Sequence, residues 1–230
     1  MNLESLVLQD IWFRYVAEGP ELLRGLDLTV SAGESVALTG PSGSGKTTVL
    51  RVAAGLEMPQ RGVVAICGDR MGPIAEERRD IRARHIGLVF DRSRLLAGLT
   101  ARENVIAARL PWQSGPLLSE EAARLLDACG LTGRHATRPA ALSGGERQLV
   151  SVARALIGGH RVLLADEPTA HLDRAGGDKV MRVLLEHARS MRAATLFTTH
   201  DPNVAHMATR TVRLADGTIA AHEDPSPRSA

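Results

Sequence analysis

Residues 40–48 read GPSGSGKTT, and they constrain the fold more than any other part of the chain. A short apolar run, ESVALTG (34–40), leads straight into them, and TVLRVAAGL follows with helical spacing. A strand that turns through glycines into a helix belongs to a parallel α/β sheet. The spacing Gly40, Gly45, Lys46, Thr47 fits G-x-x-x-x-G-K-[ST]. Glycines let backbone wrap closely round an anion with its amides turned inward, and the helix start adds the positive end of its dipole. The whole stretch, Gly40, Pro41, Ser42, Gly43, Ser44, Gly45, Lys46, Thr47 and Thr48, therefore reads as a phosphate cradle. In such a cradle Lys46 reaches the β- and γ-phosphates and the Thr47 hydroxyl holds Mg²⁺.

The rest of the chain excludes several alternatives. Lysine occurs only at 46 and 179, while arginine is abundant. Net charge is +2 and the arginines are scattered among acids, with no stripe of the kind that binds nucleic acid. Cys67, in the strand-like VVAIC, and Cys129, near a helix end, have no zinc-ligand spacing and suit a reducing, cytosolic compartment. The first residues, MNLESLVLQD, lack the pattern of a secretion signal, and no apolar run approaches the ~18 residues that span a bilayer. Work at a membrane would have to go through a partner, without direct insertion. Aromatics make up only 3% of residues, so the core must be aliphatic.

LVLQDIWFRYV and LLRGLDLTV read as an N-terminal antiparallel pair. From Asp91 to about residue 158 the texture turns helical, with Ser119 as an N-cap before Glu120 and Glu121, and Gly130 as the stop. RVLLAD (161–166) and TLFTTH (195–200) return to buried strands, joined by the helical DKVMRVLLEHARSM. TVRLADGTIAAHE is a hairpin turned at Asp216-Gly217, and 223–230 reads as a disordered tail. The expected architecture is a single domain over 1–230. Residues 1–91 and 159–222 form a core with an antiparallel β subdomain, and 92–158 form an inserted helical subdomain.

Two further stretches carry chemistry. LLADE puts Asp166 and Glu167 at the C-terminal end of a buried strand, where ligands of open α/β sheets bind. Asp166 suits Mg²⁺ and Glu167 suits a general base on an attacking water. In LSGGERQLVSVARAL, Ser143 and Glu146 make a capping box at a second helix start. A cap does not require Gly144 and Gly145, which cost helix propensity. The chain thus carries two phosphate-binding helix starts, which suits one nucleotide clamped between two copies of the protein.

The set GPSGSGKTT, LSGGE, LLADEPT, HLD and TTH resembles the nucleotide-binding subunit of ATP-binding-cassette (ABC) transporters. Within it the chain is similar to the lipoprotein-release, macrolide-export and cell-division-associated branch, through LRGLDLTV, IGLVF, LTARENV and LSGGERQ. The resemblance implies a P-loop NTPase core and a head-to-tail dimer binding ATP and Mg²⁺. It implies membrane subunits as partners, and a place on the inner face of the cell membrane. It assigns Tyr15, with Trp12 and Phe13 close by, to adenine stacking. Asp173 falls to the loop that couples the two sites, and His200 to the γ-phosphate. The family places glutamine, a helper of Mg²⁺ and the attacking water, where this chain has Asp91, followed by Arg92, Ser93 and Arg94. Asp91 can offer oxygen to Mg²⁺, with Arg92 or Arg94 balancing its charge, or can cap the next turn. His171 stands where this branch often has Asn. The expected function is an ATP-hydrolysing transporter subunit. The rival is a regulatory ATPase that transmits force to envelope proteins and moves no substrate.

Overall fold

The structure, a computed structural model, describes residues 4–109 and 115–223. Its first strands, β1 (Glu4–Phe13) and β2 (Leu23–Ser31), pair antiparallel with Leu8 opposite Leu28. With β4 (Arg61–Ile66) and the short β5 (Asp69–Arg70) they make a sheet in the order β2-β1-β4-β5. Burial along β1 shifts parity, from Leu6 and Leu8 to Ile11 and Phe13. Asp10, at φ 48, is the extra residue of a bulge that causes the shift.

The main sheet has the order β10-β9-β3-β8-β7-β6. Its members are β3 (Ser35–Thr39), β6 (Ile86–Val89), β7 (Val162–Ala165), β8 (Ala194–Thr198), β9 (Arg210–Ala215) and β10 (Thr218–Glu223). All neighbours run parallel except β10, which returns along β9 through Asp216 (φ 48) and Gly217 (φ 78). Every residue of β7 and β8 is buried, as expected of strands covered on both faces. Alternate residues feed two cores. Val36, Leu38, Leu164 and Leu196 join the antiparallel sheet and α1 (Lys46–Ala53). Ala37, Leu163, Ala165 and Phe197 join the helical side.

That side holds α3 (Ala101–Ala107), α4 (Pro116–Ala128), α5 (Gly144–Leu156) and α6 (Arg174–Ser190). The remaining helices are α2 (Ala75–His85), before β6, and the single turn α7 (Pro202–Ala205) after β8. Helices α3 and α4 pack on α5, and α5 packs on β6 and α6, so the helical segment shares its core with the sheet.

Three details differ from the sequence reading. The α4 helix starts at Pro116 after Gly115, which leaves Ser119 inside the helix and not at its cap; proline's fixed φ and missing N–H suit the first helical position. Cys67 lies just past β4 at φ 52, in the turn to β5. Residues 91–100 form a loop, and helix resumes only at α3, where Thr100 and Glu103 make a capping box. Of the expected tail 223–230, Glu223 is the last residue of β10, and residues 224–230 lie outside the described residues. Among the described residues no helix is long and apolar enough to cross a membrane.

Candidate active site

The cradle sits between β3 and α1, at the C-terminal edge of the parallel sheet. Gly40 has φ 144, and a Cβ there would collide with the Leu214 carbonyl. Lys46 folds back so that Nζ donates to the carbonyls of Gly40 (2.9 Å) and Pro41 (3.0 Å). Ser44 Oγ is buried with no hydrogen-bond partner, and the space beside Gly43 is open. An orphaned hydroxyl, an open glycine and a lysine parked on carbonyls fit a polyphosphate. Ser42, Gly43, Gly45, Lys46, Thr47 and Thr48 line one cleft, and Glu167 lines it with them.

The two carboxylates follow β7. Asp166 Oδ1 accepts from the Thr47 hydroxyl (3.1 Å) and the Thr198 hydroxyl (2.8 Å). Thr198 Oγ1 in turn accepts from the Glu167 amide (2.9 Å). Glu167 has φ 42, a strained region for a residue with a Cβ. Its Oε2 lies 3.0 Å from His200 Nδ1, and His200 itself is largely exposed. Thr198 therefore braces both acids from within the sheet. Sequence reading missed it, because a threonine in TLFTT looks like ordinary strand composition.

Tyr15 is the exposed aromatic beside the cradle, 55% accessible, with its hydroxyl 3.0 Å from Thr48 Oγ1 and its ring edge-on to Phe13. Phe13 is buried. Trp12 is engaged elsewhere, donating Nε1–H to Asp10 Oδ1 (2.7 Å) under the Arg61 guanidinium.

Asp91 lines a second cleft together with Thr47 and Asp166, and a third with Gly144, Gln148 and His171. Among the described residues the arginine partner expected for Asp91 is not found. Neither Arg92 nor Arg94 pairs with it; Arg94 lies over the Phe90 ring, 4.4 Å from its centroid. Nor does the Asp91 side chain cap the next turn, since no described donor reaches it. The loop is pinned instead from α5. Gln148 Nε2 donates to the Phe90 carbonyl (3.1 Å), and Arg154 donates to the carbonyls of Ser93 (2.7 Å) and Arg94 (2.8 Å).

The second helix start is built as read. Ser143 Oγ accepts from the Glu146 amide (3.1 Å), and Glu146 Oε2 accepts from the Ser143 amide (2.8 Å). That backbone bond, with further help from the Ser143 hydroxyl and Arg134, holds the Glu146 carboxyl below its usual range. Asp173 caps α6 through the Gly176 amide (2.9 Å). Gly144 shares its cleft with Asp91 and His171, and no described cleft joins it to Lys46.

A family model described as ABC transporter matches residues 23–170. The chain belongs to the ABC transporter family. It is similar to the lipoprotein-releasing system ATP-binding protein LolD of Ruegeria pomeroyi, 42% identical over 226 residues that cover 96% of this chain and 99% of that protein. It is also similar to the macrolide export ATP-binding/permease protein MacB of Bordetella avium, 41% identical over 230 residues, but spans only 34% of that longer protein. Among solved structures it resembles the ATP-binding cassette MJ0796 in a dimeric post-hydrolysis state bound to ADP and Pi. The TM-score is 0.88 at 31% identity, covering 96% of this chain and 99% of that one.

This ABC protein is an ATPase and the ATP-binding subunit of a transporter, with the cassette fold of an α/β sheet and an antiparallel β subdomain. Among the described residues no three metal-ligating side chains are gathered together.

Proposed function

We propose that two copies of this ATPase close head to tail around two ATP and drive integral membrane subunits from the inner face of the cell membrane. The observation that carries the reading is the separation of the two helix starts. Lys46 and the cradle open into one cleft of the chain, and Gly144 into another. A single copy leaves the Ser143–Gly145 start without a phosphate; a second copy, turned head to tail, supplies one.

In that reading Tyr15 stacks on adenine and residues 40–48 cradle the phosphates. Lys46 exchanges the carbonyls of Gly40 and Pro41 for the β- and γ-oxygens. Thr47 Oγ1 and Asp166 would hold Mg²⁺, with Asp91 offering a further oxygen, and the metal would supply neutralisation of phosphate charge. Glu167 takes the proton of the attacking water, on a backbone fixed by Thr198. His200 orients that carboxylate and contacts the γ-phosphate. Asp173, at the start of α6, meets the partner copy. LolD is named as part of a lipoprotein-releasing system and MacB as an ATP-binding/permease protein, which supports a membrane-coupled role here.

Glu167→Gln tests the reading. The base is lost while both helix starts remain, so the variant accumulates as an ATP-bound dimer on size-exclusion chromatography and hydrolyses nothing. A variant that binds ATP yet elutes as a monomer at all concentrations overturns the shared site.

A further inference from the structure

The backbone that carries Tyr15 is gripped by a residue outside the cradle. β1 ends at Phe13 and β4 begins at Arg61, so the ladder between them stops short of Tyr15. Past the paired Trp12 and Arg61, the Gln60 amide still donates to the Trp12 carbonyl (3.0 Å). On the other side of β1, the Leu22 amide donates to the Phe13 carbonyl (2.7 Å). Arg14 lies beyond both strands, and one side chain takes up its N–H and its C=O together. Gln60 Oε1 accepts from the Arg14 amide (2.9 Å), and Gln60 Nε2 donates to the Arg14 carbonyl (3.0 Å). A side-chain amide offers acceptor and donor side by side, as a neighbouring strand does. The ladder is thereby continued by one residue, up to the position before Tyr15.

We infer that Gln60 is a positioning residue for adenine recognition, because its two bonds to Arg14 fix the backbone from which Tyr15 projects. The inference rests on the reading of Tyr15 as the side chain that stacks on adenine. The Tyr15 ring stands edge-on to Phe13, with centroids 4.8 Å apart, and its hydroxyl lies 3.0 Å from Thr48 Oγ1. Both contacts act on the side chain, and neither holds the backbone behind it. One residue further on, exposed Val16 opens a turn closed by the Gly19 amide on the Val16 carbonyl (2.8 Å). The loop 14–21 thus leaves the sheet at Phe13 and returns at Leu22, and Gln60 fastens its outgoing limb at Arg14. A loop ordered before the base arrives does not have to be ordered by it, so the effect falls on nucleotide affinity. It does not fall on the phosphates, since Gln60 does not line the cleft of the cradle. Gln60 is itself exposed, so water competes for both bonds and the effect is moderate.

The test compares two probes on the full chain, ATP and inorganic tripolyphosphate, each with Mg²⁺. Tripolyphosphate occupies the cradle and offers no base to Tyr15. Gln60→Met keeps the length of the side chain and loses both bonds. It raises the Kd and the KM for ATP about three- to tenfold, while kcat and tripolyphosphate affinity stay as in wild type. Tyr15→Ala weakens ATP binding as well, and adding Gln60→Met to Tyr15→Ala causes no further loss, because the two act through one contact. Equal weakening of both probes by Gln60→Met marks general damage to the fold and overturns the inference, as does a full additional loss in the double variant. If Tyr15→Ala weakens ATP binding and Gln60→Met does not, the stacking reading stands and the inference alone fails. If Tyr15→Ala leaves ATP affinity unchanged, the stacking reading fails and the inference with it.

Discussion

Thr198→Val removes one oxygen from the interior and should disturb both stability and turnover. Thr198 is fully buried, and valine matches its shape. The hydroxyl donates to Asp166 Oδ1 at 2.8 Å and accepts from the Glu167 amide at 2.9 Å. Without it the Glu167 N–H loses its partner, and Asp166 keeps only the Thr47 hydroxyl on that oxygen. An orphaned buried amide costs about 1–3 kcal/mol and a lost charge-assisted bond adds to it, for a total near ~3 kcal/mol. In a domain of this size that lowers Tm by about 6–12 °C. The second effect is geometric. Glu167 is held at φ 42, which relaxes when its anchor goes, and displacement of a catalytic group by about 1 Å can cost roughly a hundredfold. We expect kcat to fall by about ten- to a hundredfold with the KM for ATP little changed, because the cradle is untouched. Thr198→Ser should recover most of both. Differential scanning calorimetry and steady-state ATPase assays decide; an unchanged Tm with an unchanged kcat would refute the brace.

Three shorter predictions follow from the same geometry. Gly145→Asp should abolish turnover and leave first nucleotide binding nearly intact, since a Cβ there meets only Leu172 Cδ2 at 3.6 Å; equal loss of both, by fluorescent-nucleotide titration and ATPase assay, would put Gly145 in the same site as Lys46. Asp91→Gln should raise basal hydrolysis and relax its Mg²⁺ dependence. One unbalanced like charge at ~5 Å and an effective dielectric near 20 costs about 3 kcal/mol, or roughly a hundredfold in rate; identical Mg²⁺ titrations for wild type and variant would remove Asp91 from the site. Stability should fall as pH drops below 6.5. Burial lowers the pKa of His160, so below that point the unfolded chain binds a proton that the folded chain refuses. The slope approaches 1.4 kcal/mol per pH unit for one proton, half-buried His187 adds to it, and urea titrations of His160→Gln should show a shallower slope.

What the sequence revealed, and what it hid, divides by the range of the interaction. The cradle was legible because its physics is local: strand, glycines, lysine and helix start are all neighbours in the chain. The Ser143–Glu146 box and the Asp216-Gly217 turn were legible for the same reason. Long-range partnerships were not. Thr198 serves Asp166 and Glu167 from another strand, and nothing in TLFTTH signals it. Arg92 and Arg94 were natural counterions for Asp91 on sequence spacing, yet Arg94 finds the Phe90 ring instead, and the loop is tied down by Gln148 and Arg154 of α5. Ser119 misled because a good capping residue one turn inside a helix looks the same as one at its start, and Pro116 with Gly115 settled the matter.

The second helix start offers free amides to the second copy in the proposed dimer. A helix leaves its first N–H groups without carbonyl partners. At α5 the box satisfies two of them within the chain, those of Ser143 and Glu146. The amides left over belong to Gly144 and Gly145, and no described residue accepts from either. Those are the two positions with no side chain to shield them, and a Cβ at either would meet no atom closer than 3.6 Å. The positive end of the helix lies behind these two donors. Glu146, the one acid in that first turn, is bound to Ser143 and paired with Arg134 at 3.1 Å, so its charge is already answered. Two free amides, a dipole end and a neutralised acid suit the anion-binding role proposed above. This chain's own cradle opens into a different cleft. In the proposed head-to-tail dimer, the phosphate that completes Gly144 and Gly145 would be carried by the second copy, with ATP on its Lys46.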